Sequence, residues 1–431
     1  MLNAWANTSD LKKTLQERVG PQYNITYLSL GNTPISADNI AAWESKLHVV
    51  EAFNGRYFSQ TPNDSSGAFS ANNISSGPEN SIKVMYSQDR IDWLNQSYDA
   101  LRESVYKVLA MQTRFAPIMN KIELKISMNG IHCDFSKLEK HFQMLVQSNP
   151  KVAVSDLVEF NRFTHDLFKG ESWRGNEIMG NVLRSLPLTP ELLEVYKDLD
   201  VIAVDNTNTY LMGTDRDEVY VTSDSGTVVM AYAGNDVLFG GNGNDNLQAG
   251  FGDDFVYGGA GADSVFGGEG DDVIYGGNGN DWLMGEGGND YIKGGLGDDF
   301  LQGNAGSDTY VFGRGDGADT LSQHGTLSSD VDVLQFESGI VPEQLWFKRF
   351  IYDLEISIIG TNDHVTITNW FGDENMHVEQ IKTQNGKTLD HQAVEKLVQA
   401  MAAFNPPAMG QTTLPQNYQA ALSSVLAANW K

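Results

Sequence analysis

The chain has 431 residues, 41% of them hydrophobic and 20% charged, and a formal net charge of −27. That length predicts two to four structural units, and the acidity excludes nucleic acid as a partner, because phosphate backbones need basic patches. One cysteine, Cys133, excludes an intramolecular disulfide. No stretch approaches the 18 consecutive apolar residues of a transmembrane helix. The N-terminal MLNAWANTSDLKK has no basic segment followed by an apolar one, so a Sec signal peptide is not expected. Export, if it occurs, then proceeds without a cleaved N-terminal signal.

Residues 1 to about 200 read as mostly helical. From Asp89 to about Ala116, Ile91, Leu94, Tyr98, Leu101, Val105, Val108 and Phe115 recur at helical spacing, with Gln112 the one polar interruption. Ser136 followed by Glu139 fits a capping box ahead of Leu138, Phe142 and Leu145. Thr189-Pro190-Glu191 fits an N-cap and first helical position leading into Leu192, Leu193 and Tyr196. The Ser-, Asn-, Gly- and Pro-rich stretch from Gly55 to Pro78 reads as a loop.

From Gly213 the composition changes. Between Gly213 and Asp319 there are 20 Asp and Glu against 3 Lys and Arg, a local balance of −17, and 28 of the 43 glycines. The sequence repeats every nine residues through eleven units, beginning at Gly213, Thr222, Ala231, Gly240, Ala249, Gly258, Gly267, Gly276, Gly285, Gly294 and Gly303. The sixth position is Glu218 and Thr227 in the first two units. In the other nine it is Asp236, Asp245, Asp254, Asp263, Asp272, Asp281, Asp290, Asp299 and Asp308. The eighth position is apolar or aromatic throughout: Tyr220, Val229, Leu238, Leu247, Val256, Val265, Ile274, Leu283, Ile292, Leu301 and Tyr310. A flexible glycine-rich linker would not hold that phase.

The pattern GGxGxDxUx has a direct chemical reading. Glycine at Gly241, Gly243, Gly252, Gly259, Gly261, Gly268, Gly270, Gly277, Gly279, Gly288, Gly295 and Gly297 lets the backbone turn its carbonyl oxygens inward. The aspartate adds a hard anionic oxygen, and calcium accepts six to eight oxygens in flexible geometry. No imidazole or thiolate accompanies the run, so zinc and copper are poor candidates, and magnesium, which prefers tighter octahedral cages, comes second. The residue two places on points into a narrow core. Stacked turns bring like aspartates to about 4.8 Å, where each unneutralised pair costs about 1 kcal/mol in water and about 3 to 4 at an effective dielectric of 20. The metal-free repeat is therefore expected to be expanded and disordered, with ion binding supplying folding energy. Asp253, Asp271 and Asp298, at the fifth position, are expected to face solvent.

The nonapeptides resemble the hemolysin-type calcium-binding repeats of RTX proteins. That resemblance implies a right-handed parallel β-roll in which two nonads make one turn and each ion lies between loops 18 residues apart. On one edge the loops end in Asp236, Asp254, Asp272, Asp290 and Asp308, which gives four sites. On the other they end in Asp245, Asp263, Asp281 and Asp299, which gives three, about seven Ca2+ in all. Glu218 would add a weaker one. Phe312-Gly-Arg-Gly-Asp-Gly-Ala-Asp-Thr-Leu321 closes the run, with Asp316 and Asp319 placed to finish the last loop.

Beyond it, period-two alternation at Val331, Val333 and Gln335-Phe336, at Leu354 to Ile358 and at Val365 to Thr368 reads as strands. Asp332-Val-Leu, Ile340-Val-Pro-Glu-Gln-Leu345 and Val365-Thr-Ile-Thr-Asn-Trp-Phe371 resemble the hemolysin-type calcium-binding-related module, which implies a β cap on the open end of the roll. Val394, Leu397, Val398 and Met401 mark an amphipathic helix, followed by a Pro-Pro break and a second helical pattern from Tyr418. Leu2-Asn-Ala-Trp-Ala-Asn7, Glu51-Ala-Phe-Asn-Gly-Arg-Tyr57, Glu159-Phe-Asn161 and Thr189-Pro-Glu-Leu192 resemble the inter-repeat segment of iron-regulated Frp-type RTX proteins of Gram-negative bacteria.

The whole reads as an α+β multidomain chain: a mostly helical domain over 1–200, the β-roll over 201–320, a β-rich capping module over 321–390, and a C-terminal helical segment over 391–431. The resemblance implies type I export of an extracellular protein, guided by an uncleaved signal in that last segment. Residues 1–200 would then meet a protein or cell-surface partner, in an adhesive or toxin-related role. The long apolar helices of acylated pore-forming relatives and the Asp-Pro bond used for self-cleavage in some Frp-type proteins are both missing, so pore formation and self-processing are not expected.

Catalytic signatures are also missing: the sequence has no HExxH, GxSxG or P-loop. His132-Cys133 with His141 is the one local cluster of its kind, in a strand-to-helix stretch, and reads as structural. The chain is read as non-enzymatic. The rival reading, an uncharacterised enzyme with its active site in residues 1–200, stays open.

Overall fold

A computed structural model describes residues 107, 110–127, 130–168, 174–187, 189–203, 209–324 and 330–431, with strand backbone at Asn24–Leu30, Thr33–Pro34 and Ser81–Tyr86. Apart from residues 107 and 110–116, the helix expected over Asp89–Ala116 lies outside the described residues, as does the loop over Gly55–Pro78. Two compact units divide between Ile122 and Glu123. In the first, β1 (Asn24–Leu30) pairs antiparallel with β2 (Thr33–Pro34) and parallel with β3 (Ser81–Tyr86). These strands interrupt a region read as mostly helical. Their signal is short, since strict alternation of polar and apolar residues covers only four residues in each of the longer strands, Asn24 to Tyr27 and Ser81 to Val84. Helix α1 (Ala116–Met119) follows Phe115, which is buried together with Ile118.

The second unit opens with a hairpin, β4 (Glu123–Ser127) and β5 (Gly130–Asp134), and then four helices: α2 (Ser136–Ser148), α3 (Pro150–Phe168), α4 (Gly175–Ser185) and α5 (Pro190–Asp198). Leu138, Phe142, Leu157, Phe160, Met179 and Leu183 are buried where α2, α3 and α4 pack. Thr189 caps α5 as expected, accepting the Leu192 N–H at 3.3 Å. The start of α2 differs from the expected capping box. Ser136 is already helical, and Asp134 accepts its N–H at 3.0 Å, because a carboxylate is the better acceptor at the positive end of a helix.

The repeat forms a parallel β-solenoid of about six turns. One ten-stranded sheet runs through the strands beginning at Val201, Val219, Val237, Phe255, Val273, Tyr291, Thr309, Val333, Gln380 and Thr388. The other runs through those beginning at Tyr210, Val228, Asn246, Ser264, Trp282, Phe300, Ala318, His364, Asp353 and Leu345. Inside the repeat each residue pairs with the one 18 later, as in Val256 with Ile274 and Leu247 with Val265. The eighth-position side chains all point between the sheets, and none is more than 1% exposed.

Residues 333–390 extend both sheets and then close them with antiparallel pairs, so the cap is built as further turns of the same solenoid. Helices α6 (His391–Met401) and α7 (Gln416–Asn429) contribute Val394, Leu397, Leu422 and Leu426 to the same continuous core, and Trp430, just after α7, joins them.

At the other end α4 lies on the outer face of the first sheet. A Cβ on Gly180 would meet the Phe239 ring at 2.5 Å, so only glycine lets the helix approach this closely. Arg184 donates to the Gly240 carbonyl at 3.0 Å and covers the rings of Phe239 and Tyr257. Among the described residues, no helix is long and apolar enough to cross a membrane.

Candidate metal centre

The 18-residue register stacks the sixth-position aspartates into two rows, one along each edge of the roll. On the first edge, Oδ1 of Asp236, Asp254, Asp272, Asp290 and Asp308 accepts the backbone N–H of the sixth-position residue one turn earlier, at 2.6 to 2.9 Å. On the second edge Asp245, Asp263, Asp281 and Asp299 do the same at 2.6 to 2.8 Å. Each apolar eighth-position anchor thus holds its loop at the height where the carboxylate meets the turn before it.

Both rows continue past the repeat. Asp319 extends the second, accepting the Asp299 N–H at 3.1 Å. Asp332 extends the first, accepting the Asp308 N–H at 2.8 Å across a longer loop of 24 residues. The sequence reading does not assign Asp332 to the row, because the nine-residue phase is lost before it. The surviving signal is the apolar Leu334 two places on, the same spacing as Asp319 to Leu321. Asp316 stands outside both rows, with Oδ2 accepting the Gly313 N–H at 2.7 Å. Glu218 is engaged internally by Thr214 and by the Tyr220 hydroxyl, which donates at 2.7 Å.

The second carboxylate oxygen has a different environment. Oδ2 of Asp236, Asp254, Asp263, Asp272, Asp281, Asp290, Asp299, Asp308 and Asp319 is buried without a hydrogen-bond partner. Asp245 differs in that its Oδ2 accepts the Gly241 N–H at 2.9 Å. Burial raises the carboxyl pKa to about 8 at Asp236, Asp254, Asp272, Asp290, Asp319 and Asp332. It reaches about 7 at Asp263 and Asp299, and about 6 at Asp281 and Asp308. Burial also raises Asp245 and Asp316. Burial thus favours the protonated acid at each of these positions, and a bound cation would favour the carboxylate.

The glycines shape the space around these oxygens. Of the twelve loop glycines singled out, all but Gly241 and Gly243 have positive φ. A Cβ on Gly288 (φ +128) would lie 1.9 Å from the Gly270 carbonyl, so the stacking of turns itself requires glycine there. The first-position glycines act differently, and their role was not apparent from spacing. On Gly285 and Gly294 a Cβ would fall 2.0 and 2.2 Å from Oδ2 of Asp290 and Asp299, and on Gly276 it would meet both Oδ2 of Asp281 at 2.4 Å and the Gly294 carbonyl at 2.5 Å. They keep the space beside the unpartnered oxygen clear. Of the fifth-position residues expected to face solvent, Asp298 is exposed and Asp253 and Asp271 are half-buried; they also lace the turns in the opposite sense, Asp253 accepting the Asp271 N–H at 2.9 Å and Asp271 that of Asn289 at 2.8 Å.

The donor set suits a hard cation. Among the described residues, no three His, Cys, Asp or Glu side chains form a metal cluster. An ion on either edge would therefore take its aspartates from adjacent turns and draw its other ligands from loop carbonyls, a set that matches calcium's taste for many oxygens. Residues 230–265, 257–292 and 284–321 match the family described as RTX calcium-binding nonapeptide repeat (4 copies). The chain carries RTX calcium-binding repeats.

Residues 353–393, which build the RTX roll's closing turns, match the haemolysin-type calcium binding protein related domain. Iron-regulated protein FrpA of Neisseria meningitidis serogroup C is 34% identical over 314 residues, 71% of this chain and 23% of that protein. The chain thus spans less than a quarter of that relative's length. The crystal structure of extracellular lipase LipA from Serratia marcescens is similar over 41% of this chain and 40% of that one, at 18% identity and a TM-score of 0.16.

Proposed function

We propose that this is a secreted calcium-binding RTX protein whose roll folds on binding about seven Ca2+ after type I export, and so presents the N-terminal part of the chain to a protein or cell-surface partner. The observation that carries the reading is the pair of rows of buried Oδ2 atoms without partners; at Asp263, Asp272, Asp281, Asp290, Asp299 and Asp308 the oxygen lies beside a first-position glycine. Seven ions correspond to one between each pair of adjacent aspartate loops within the repeat. A buried unpaired carboxylate is strongly unfavourable, so scarce calcium leaves the roll open and abundant calcium closes it. Such a chain would thread through an exporter unfolded and fold outside. In this reading the N-terminal part has an adhesive or toxin-related role and performs no catalytic step.

Far-UV circular dichroism of the full chain during calcium titration tests this. Strand signal should rise with calcium and fall in excess EGTA, with about seven ions counted by isothermal titration calorimetry. A strand signal already complete in EGTA would sink the switch.

A further inference from the structure

Arg162, on α3, reaches the beginning of the roll. Its Nη2 donates to the carbonyl oxygens of Leu199, at 3.1 Å, and Asp217, at 2.8 Å. These carbonyls are one solenoid turn apart: 217 − 199 = 18, the interval that separates partners along each aspartate row. The backbone shows the same equivalence, since the Val219 N–H donates to the Asp200 carbonyl just as the Val237 N–H does to that of Glu218. The turn at Leu199–Asp200 is therefore the roll's first, supplied by the end of α5. At this end the Glu218 carboxylate is engaged by protein donors, Thr214 and the Tyr220 hydroxyl. A fixed positive charge joins the two turns, and it also acts on the carboxyl of Asp236.

We propose that Arg162 is the protein's own cation at the head of the first edge, joining the turns at Leu199 and Asp217 without calcium. The helical end of the roll is then a calcium-independent template on which the metal-dependent turns add in order. A guanidinium suits this place because its planar fork reaches two carbonyls at once and stays charged.

Hydrogen exchange of the full chain, read by mass spectrometry in excess EGTA and in saturating calcium, tests the assignment, which rests on the calcium-dependent folding proposed above. In EGTA the amides of Val219 and Val237 should be protected in the wild type. Arg162→Met, which keeps the bulk and loses the charge, should speed their exchange about ten-fold or more, and Arg162→Lys should recover part of that loss. In saturating calcium the three proteins should match. A Met variant equal to the wild type in EGTA overturns the assignment, and so does one equally impaired with and without calcium. If Arg162→Met also loosens α3, a Lys variant no better than Met overturns it and a Lys variant restored supports it. The folding switch fails separately, by full protection of Val273–Asn278 in wild-type chain without calcium. The Arg162 assignment fails when that strand still responds to calcium but Met and wild type agree at Val219 and Val237.

Discussion

Asp254 donates its backbone N–H to Oδ1 of Asp272 at 2.8 Å, while Oδ2 of Asp272 is buried with no hydrogen-bond partner. The two oxygens of one carboxylate are thereby divided: one holds adjacent turns together and the other is left for an ion. Fold and metal affinity can then be changed separately.

Asp272→Asn preserves an acceptor for Asp254 and removes the charge. The substituted roll should be no less stable than wild type in EGTA, yet bind calcium about ten-fold or more weakly, a loss of about 1.4 kcal/mol or more. Asp272 lies mid-row between Asp254 and Asp290, whereas Asp236 lies at the end beside Glu218. Asp236→Asn should therefore cost less affinity. Calorimetric titration of both variants reads the difference, and equal losses would argue against aspartates shared between neighbouring ions.

Stability without calcium should run opposite to that of an ordinary acidic protein. Burial raises Asp254, Asp272 and Asp290 from 3.8 to about 8 in the folded chain. Between those values the folded state binds more protons than the unfolded one, so stability falls as pH rises. The contribution is complete below about 3.8 and lost as pH passes through about 8. In EGTA, circular dichroism should show more strand at pH 5 than at pH 9. Calcium should reverse the trend, since the ion needs the anionic form and its binding releases protons. A metal-free roll that gains strand as pH rises would contradict the burial of these carboxyls.

Most of the roll was legible in the sequence because period, charge and apolar anchor all depend on the same nine residues. Leu247, Val265 and Leu283 had to share a face once the phase was known. The continuation of the rows was harder to read. Asp319 and Asp332 meet their partners after 20 and 24 residues, so spacing alone no longer aligns them. The lacing by Asp253 and Asp271 was hidden for another reason: a fifth-position carboxylate looks like a solvated charge until the next turn's N–H is placed over it. Arg162 is 55 residues from Asp217, and no local pattern links them.

The two kinds of glycine should fail differently. Gly279 has φ +128, and its Cβ would lie 1.7 Å from the Gly261 carbonyl, so Gly279→Ala should cost about 1 to 3 kcal/mol or more of roll stability through strain and overlap. Gly285 has no such φ, and its Cβ would meet only the Asp290 side chain, with Oδ2 at 2.0 Å. Gly285→Ala should instead act first on calcium, raising the concentration needed for half-folding. Titration followed by circular dichroism separates the two, and a Gly285→Ala protein with unchanged calcium response would remove the proposed role of the first-position glycines.

The C-terminal segment is part of the fold as well as the proposed export signal. Trp430 is 4% exposed and forms an antiparallel bridge with Leu389. Beside it Lys431 and Thr388 exchange backbone hydrogen bonds at 2.9 and 3.1 Å. Removing a buried indole leaves a large cavity, so Trp430→Ala should cost about 3 to 5 kcal/mol, read by urea unfolding in saturating calcium. The damage should begin in the cap: hydrogen exchange should quicken at Gln380–Thr383 before it does at Val273–Asn278, since the first strand adjoins the Leu389 edge and the second lies mid-roll. A loss below about 1 kcal/mol, the range of surface substitutions, would mean that the tail is not docked in solution. A docked tail has a consequence for export: the folded protein buries the segment proposed as its signal, so an exporter could engage it only before calcium closes the roll.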